Sequence, residues 1–182
     1  MSSSDRFETF VLQHQDLVFG TAVRLLGNRH EAEDVAQAVF LKAFQRFDQI
    51  GASPTASAWL RTVTRNACLN HLTRHRSRWL LFSQLHRTNG ATARRGDALD
   101  AVARAVDPGS SPQSALEQTE TASRLEAALR ALPDHQRVPL VLFHFEQLSY
   151  QEIADALGVA LAKVKTDMHR GRLALRAVLE RQ

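Results

Sequence analysis

Apolar residues recur at every third or fourth position along most of the chain, and alternating apolar and polar positions are essentially missing. The first spacing places apolar side chains on one face of an α-helix, whereas alternation would indicate a half-buried strand. Glycine, proline and asparagine interrupt the pattern at intervals and so divide the chain into separate helices. The pattern therefore predicts an all-α protein.

In the N-terminal part the pattern predicts four helical segments. Two of them precede Gly27, a residue type that commonly ends helices, and a third begins near His30 with acidic side chains in its first turn. The pattern breaks over 50–54, where a Ser-Pro pair is typical of a helix start, and a fourth segment runs from there to about Arg76. The side chains that the third segment should bury are Val35, Val39, Phe40, Ala43 and Phe47.

The periodicity weakens between about Ser77 and Ser114, where residues that break helices recur. An irregular stretch of about 35 to 40 residues is uncommon inside one compact domain. After it, the pattern predicts a helix that ends at Leu132 and another that ends near Gln147. We therefore predict two small helical domains, 1–78 and 114–182, joined by a flexible linker over 79–113.

The sharpest local signal lies near the C-terminus. Ser149 and Glu152 have the spacing of a capping box, in which the serine caps a helix and the glutamate reaches back to it. Gly158 supplies a turn, and a second helix is predicted from about Leu161. This is the pattern of a helix-turn-helix motif, whose second helix lies in the DNA major groove, although a plain helical hairpin with a basic face is the alternative. The outward side chains of that helix are predicted to be Lys163, Lys165, Thr166, His169, Arg170 and Arg172.

The charge distribution also points to an anionic partner. The net charge is +4, and no carboxylate occurs between Asp48 and Asp97. A solvated helical surface normally carries both signs of charge, so this stretch favours a surface that binds a polyanion such as nucleic acid. Its arginines are Arg61, Arg65, Arg74, Arg76, Arg78, Arg87, Arg94 and Arg95.

Two blocks of sequence resemble one protein family. The segment LSYQEIADALGVALAKVKTDMHRGRLALR resembles the C-terminal promoter-binding domain, sigma4, of the extracytoplasmic-function (ECF) sigma factors. The segments GNRHEAEDVAQAVFLKAFQRFDQI and WLRTVTRNACLNHLTRHR resemble the sigma2 domain of the same family. The resemblance implies an alternative sigma factor that binds core RNA polymerase and directs promoter-specific initiation of transcription.

The resemblance also implies roles for individual residues. In sigma2, one helix docks on the polymerase and the next helix, with the loop before it, binds the minus-10 promoter element. The residues that match the docking helix are Asp34, Val35, Gln37, Phe40 and Leu41, with Ala38 in a position where the family usually has glutamate. The residues that match the minus-10 site are Gln49, Ile50, Gly51, Arg61, Arg65, Asn66, Asn70 and Arg74.

In sigma4, the second helix of the helix-turn-helix reads the minus-35 element, which assigns that role to the outward residues described above. Family members commonly have a basic residue where this chain has Asp167. We expect Asp167 either to accept a hydrogen bond from cytosine N4 in the groove or to pair with Arg170 and orient its guanidinium for guanine.

The resemblance implies three partners: core RNA polymerase, bound through its β′ clamp helices and β flap, promoter DNA, and an anti-sigma factor as a candidate. We expect no cofactor. The N-terminal residues lack the basic and apolar segments of a signal peptide, and no apolar run approaches the roughly 20 residues that span a bilayer. We therefore expect a cytoplasmic protein without membrane insertion.

The sequence contains no glycine-rich phosphate loop or other catalytic motif, so we do not predict an enzyme. Cys68, His71 and His75 fall on one helical face at a spacing that a metal site could use. Because no further ligand motif lies nearby and the surrounding arginines would repel a cation, we predict no metal and expect the histidines to face DNA or polymerase.

Two other functions account for parts of the sequence. A free-standing helix-turn-helix regulator that binds DNA without polymerase would leave the segment from Glu31 to Phe47 unexplained. A helical adaptor that binds only protein would leave the carboxylate-free arginine stretch unexplained. The free-standing regulator is therefore the main alternative to a sigma factor.

Overall fold

The computed structural model describes residues 3–74 and 112–180, with side chains described at 4–74 and 122–180. Every regular element in these ranges is an α-helix, which confirms the predicted all-α class. None of these helices is both long and apolar enough to cross a membrane. The chain divides into two compact units, Met1–His75 and Arg76–Gln182. The predicted linker, 79–113, lies outside the described residues except for its last two positions.

The first unit is a bundle of three long helices and one short helix. Their bounds are α1 Ser3–Leu26, α2 Arg29–Gln45, α3 Phe47–Ile50 and α4 Ala56–Arg74. Helices α1, α2 and α4 each contact the other two, so one apolar stripe from each helix meets in a single core. The fully buried side chains at its centre include Val18, Ala22, Leu25, Val39, Ala43, Leu60 and Cys68.

Helix α1 is continuous, where the sequence pattern predicted two segments. The polar run over 13–16 occupies only about one turn, and apolar residues on either side of it, Phe10 and Val18, are both buried on the same face. No glycine or proline interrupts this turn, so nothing in it forces a break. Gly27 ends the helix as predicted, with φ 67° and its N–H donated to the carbonyl of Val23. Asn28 then caps α2, because its side chain accepts from the backbone N–H of His30 at 2.9 Å.

The turn between α2 and α4 is built around an aromatic side chain. Phe47 is buried as predicted, but it begins α3 and does not belong to α2. Its ring lies 5.2 Å from that of Phe7 and 5.5 Å from that of Phe10, both in edge-on contact. Gly51 lies directly against this ring. Helix α4 begins at Ala56, later than the predicted start, because a hydrogen-bonded turn through Ser53 precedes it.

The second unit contains the predicted helix-turn-helix. Its helices are α5 Pro112–Ala131, α6 Asp134–His144, α7 Tyr150–Leu157 and α8 Leu161–Leu179, and α8 packs against the other three. The capping box is confirmed, since the backbone N–H of Ser149 donates to the Glu152 carboxylate at 2.8 Å and the serine hydroxyl accepts from the Glu152 N–H. Gly158 makes the predicted turn with φ 63°. The buried side chains on α7 and α8 include Ile153, Ala154, Leu157, Val164, Met168 and Leu175.

Gly51 gives a test of the packing in the turn. A Cβ atom built on it would lie 2.5 Å from the Cε2 atom of Phe47, too close for any real contact. Because crowding of a packed core commonly costs about 1 to 3 kcal/mol, we expect Gly51→Ala to lower the free energy of unfolding by that amount.

Gly20→Ala in α1 is the matched control, since the nearest atom outside the helix backbone would lie 3.5 Å from its Cβ. Alanine favours the helix over glycine by about 0.5 to 1 kcal/mol, so this variant should be more stable than the wild type. Chemical denaturation of the full chain measures both. Equal stability of the two variants would show that both the Phe47 ring and the backbone of the turn adjust freely to a Cβ atom at position 51.

Candidate nucleic-acid and protein interfaces

Helix α8 is oriented by its buried stripe, and the opposite side carries most of the predicted minus-35 residues. Lys165 and Thr166 are exposed, while His169 and Arg170 are partly exposed. The Thr166 hydroxyl donates to the Ala162 carbonyl at 2.9 Å and keeps its lone pairs for a ligand. The outer face of α8 therefore presents cations around a hydroxyl group, which suits phosphates and base edges.

Asp167 does not lie on this outer face. Asp167 is only 5% exposed, and its Oδ2 atom lies 2.6 Å from the Nζ atom of Lys163, one turn earlier in the helix. Position 167 follows Val164 by three residues and precedes Gly171 by four, so it lies at the edge of the buried stripe. The expectation of a contact with cytosine is therefore wrong for this conformation, and the structure pairs Asp167 with Lys163.

Arg172 lies on the other flank of α8 and is held by an aromatic ring. Its guanidinium carbon is 5.7 Å from the centre of the Phe143 ring, and that ring lies 5.0 Å from the ring of Tyr150. Such a cation–π contact restricts the orientation of the guanidinium. The contact joins α8 to the end of α6 and to the start of α7.

The predicted minus-10 residues of α4 lie mostly at the surface. Arg61, Asn66, Asn70 and Arg74 are exposed, and Arg65 is partly exposed. Asn66 and Asn70 are one turn apart and therefore share a face.

Two residues that the sequence reasoning missed, Thr62 and Thr73, lie on the same exposed face of α4 as Asn66 and Asn70. Their hydroxyls donate to the carbonyls of Ala58 and Asn70, respectively. The signal that could have found them is helical spacing, because Thr62 precedes Asn66 by four residues and Thr73 follows Asn70 by three. The four side chains form a neutral polar stripe with arginines beside it.

In the loop before α4, the three predicted residues differ in exposure. Gln49 is exposed and Gly51 is partly exposed, but Ile50 is buried at the end of α3. The side chain of Ile50 packs inside the unit because α3 turns it toward the core, next to the buried Phe47. It therefore offers no surface to a base in this conformation, contrary to its predicted role.

The predicted polymerase residues of α2 divide between surface and core. Asp34, Gln37 and Leu41 are exposed, whereas Val35 is buried and Phe40 is partly buried, so Val35 supports the helix from beneath. Phe44, which the sequence reasoning missed, is 57% exposed and Leu41 is 60% exposed. The exposed positions follow one another at intervals of three and four, a spacing that places them in one stripe. We define the docking stripe as Asp34, Gln37, Leu41 and Phe44.

A side-chain contact joins α2 to α4. The Nε2 atom of His71 lies 3.0 Å from the Oε2 atom of Glu31, and both side chains are partly buried. His71 therefore faces α2 and not a ligand, which corrects its expected position. Cys68 is buried, His75 lies outside the described residues, and no group of three potential metal ligands occurs in the described part of the chain.

Comparison with known proteins gives matches to both units. The family model for Sigma-70 region 2 matches residues 10–78, and the model for Sigma-70, region 4 matches residues 122–175. The helices α2 and α4 fall within the first match, and the second match contains α7 and all but the last turn of α8.

Matches to individual proteins extend over nearly the whole chain. The ECF RNA polymerase sigma factor SigW of Bacillus subtilis is 30% identical over 96% of this chain and 89% of its own length. The ECF RNA polymerase sigma factor SigE of Mycolicibacterium smegmatis is 35% identical over 95% of this chain and 61% of its own length. The solved structure of the sigma factor RpoE from Bartonella quintana, in complex with the anti-sigma factor NepR, aligns with a TM-score of 0.47 at 22% identity over 96% of both chains. By the two region matches and the identity to SigW, this chain belongs to the ECF group of the sigma-70 family of RNA polymerase sigma factors.

Proposed function

We propose that this chain is an alternative sigma factor that binds core RNA polymerase and directs promoter-specific initiation of transcription. The observation that carries this proposal is the presence of region 2 and region 4 matches in one chain, in that order. A free-standing helix-turn-helix regulator would account for the second match but not for the first. The polymerase supplies the catalysis, so the chain needs no active site of its own, and it acts in the cytoplasm, where the polymerase is.

The docking stripe on α2 is the proposed contact with the β′ clamp helices. Leu41 and Phe44 are adjacent large apolar side chains, and an apolar centre with a polar rim is typical of protein interfaces. The ring of Phe44 lies 4.9 Å from that of Phe7 in an edge-on contact, which limits its motion before binding. Less side-chain freedom is then lost when the complex forms.

The polar stripe of α4 is the proposed minus-10 site. The amides of Asn66 and Asn70 each contain a donor and an acceptor, as recognition of an unpaired base edge requires. The arginines beside them would attract the backbone of the same strand. Gln49 and Gly51 complete the proposed site from the loop, since a flipped base needs polar groups and little bulk around it.

Helix α8 is the proposed minus-35 reader, through Lys165, Thr166, His169, Arg170 and Arg172. Lys163, which was predicted with them, is paired with Asp167 and is left out of the proposed set. The unit that contains α8 would bind duplex DNA, whereas the first unit would bind separated strands. We propose 1–78 and 114–182 as the two domains, 79–113 as the linker, and the β flap as a second polymerase contact. Two domains joined by such a linker would be brought to promoter spacing when polymerase binds both. The anti-sigma partner that the resemblance implies stays a prediction.

We expect the full chain to co-purify with core polymerase and to bind promoter duplex only weakly without it. In a titration with labelled core enzyme, Leu41→Ala combined with Phe44→Ala should weaken binding by roughly tenfold or more, because the truncations that cost above about 1 kcal/mol cluster at the centre of an interface. Leu12→Ala is the matched control, since Leu12 is 60% exposed on α1 outside the docking stripe. A protein that footprints a promoter alone and ignores core enzyme would instead be a free-standing regulator.

We expect Asn66→Ala to impair opening of the minus-10 element while it leaves polymerase binding unchanged. Alanine cannot replace the amide hydrogen bonds to a base, and the loss should be about 1 to 3 kcal/mol, the usual scale for one base contact. Alanine also favours the helix, so α4 should remain folded. Permanganate reactivity of thymines in the open complex measures the effect.

Gln13→Ala is the control for the loss of an amide, because Gln13 is exposed on α1 and is not part of the polar stripe. Normal strand opening by Asn66→Ala, together with weaker polymerase binding, would assign Asn66 to the protein interface.

A further inference from the structure

We infer that Asp167 determines DNA specificity by holding Lys163 away from DNA phosphates. This inference rests on the proposed function of α8 as the minus-35 reader. Lys163 is in the first turn of the recognition helix, the end that reaches base edges in helix-turn-helix proteins. Its ammonium is nevertheless 2.6 Å from the Asp167 carboxylate, and so it is already neutralised within the domain.

The burial of Asp167 makes this pair hard to exchange for a phosphate. The Asp167 side chain is 7% exposed and that of Lys163 is 29% exposed. If Lys163 moved to DNA, a buried carboxylate would lose its charged partner, and an unpaired buried charge is strongly unfavourable. The new ion pair with the phosphate would be exposed to solvent and therefore screened by salt. The pair with Asp167 is therefore favoured over a pair between Lys163 and a phosphate.

The direction in which the Lys163 side chain extends along α8 also keeps it from DNA. Helical side chains normally lean toward the N-terminus, which would extend Lys163 beyond the start of α8. A partner four residues later draws the lysine in the opposite direction, along the helix and away from the reading end. Lys165, two residues on, is exposed and has no carboxylate partner among the described residues. It is therefore available to DNA while Lys163 is not.

The effect on specificity follows from the nature of non-specific binding. Binding to random DNA depends almost entirely on the number of phosphates neutralised, whereas specific binding adds contacts to base edges. A lysine removed from the phosphate contacts lowers non-specific affinity without removing a base contact. Asp167 is thus a positioning residue, which acts on DNA only through Lys163.

The salt dependence of binding measures this role directly. Each additional phosphate contact on duplex DNA steepens the slope of log K against log salt by about 0.9. For the full-length Asp167→Asn variant on a mixed-sequence duplex, we expect a slope steeper by about 0.9 than the wild type and an affinity about tenfold higher at 50 mM salt. Fluorescence anisotropy of a labelled duplex over a salt series gives both quantities.

Three further variants separate this effect from charge and from folding. Glu180→Gln removes the same charge from the C-terminal end of α8, roughly 20 Å further along, and should leave the slope unchanged. Lys163→Gln alone should also leave it unchanged, because Lys163 does not touch DNA. The double variant Asp167→Asn with Lys163→Gln should return to the wild-type slope. Because it contains no unpaired buried carboxylate, it can be measured even if the single variant Lys163→Gln does not fold.

An unchanged slope in Asp167→Asn would overturn the inference, and so would a shallower slope in Lys163→Gln, since that lysine would then already bind a phosphate. Both results leave the proposed sigma function intact, because the assay contains no polymerase. A wild-type chain that binds no duplex even at low salt would also overturn the inference, whereas the minus-35 role of α8 is tested with the polymerase complex.

Discussion

The burial of one apolar stripe on each helix sets how that helix is rotated, and this rotation decides which side chains reach the surface. In α8 the stripe of Val164, Met168 and Leu175 is buried, so Thr166 and Lys165 must face outward. In α2 the buried Val35, Val39 and Ala43 have the same effect on the docking stripe. The side chains of the proposed interfaces are therefore set by core packing, because a helix that is rotated or shifted would expose different side chains.

Much of this rotation could be predicted from sequence, because helical periodicity and local turn signals are short-range properties. The capping box at Ser149 and the turn at Gly158 depend on residues within one or two turns and were predicted correctly. The predicted division of α1 is wrong because the polar run over 13–16 does not end the helix, and the buried Phe10 and Val18 on its two sides continue one face. The burial of Ile50 does not follow from the sequence pattern, because the short helix α3, which turns it inward, has too few residues to be periodic.

Charged groups were the hardest to place, because their positions depend on partners. His71 contacts Glu31 across 40 residues of sequence, and no local pattern encodes that distance. Asp167 is at the edge of an inner stripe, where spacing alone allows either an outward or an inward orientation. Phe44 was missed for a related reason, since its exposure depends on where the Phe7 ring packs. Local sequence thus predicts the helices and their faces, while contacts between side chains determine where the charged groups lie.

The two proposed DNA-binding helices arrange their groups in a similar way. On α4, neutral amides and hydroxyls occupy the exposed stripe and arginines lie beside it. On α8, Thr166 lies near the middle of the outer face, while the cations of the two flanks, Lys163 and Arg172, are held by Asp167 and Phe143. A held cation cannot follow any phosphate that comes within reach, so it contributes less to binding on random DNA than a free one. If α4 and α8 bind DNA as proposed, directional groups in the centre would carry a larger share of the discrimination, and polymerase would supply affinity by joining both domains on one promoter.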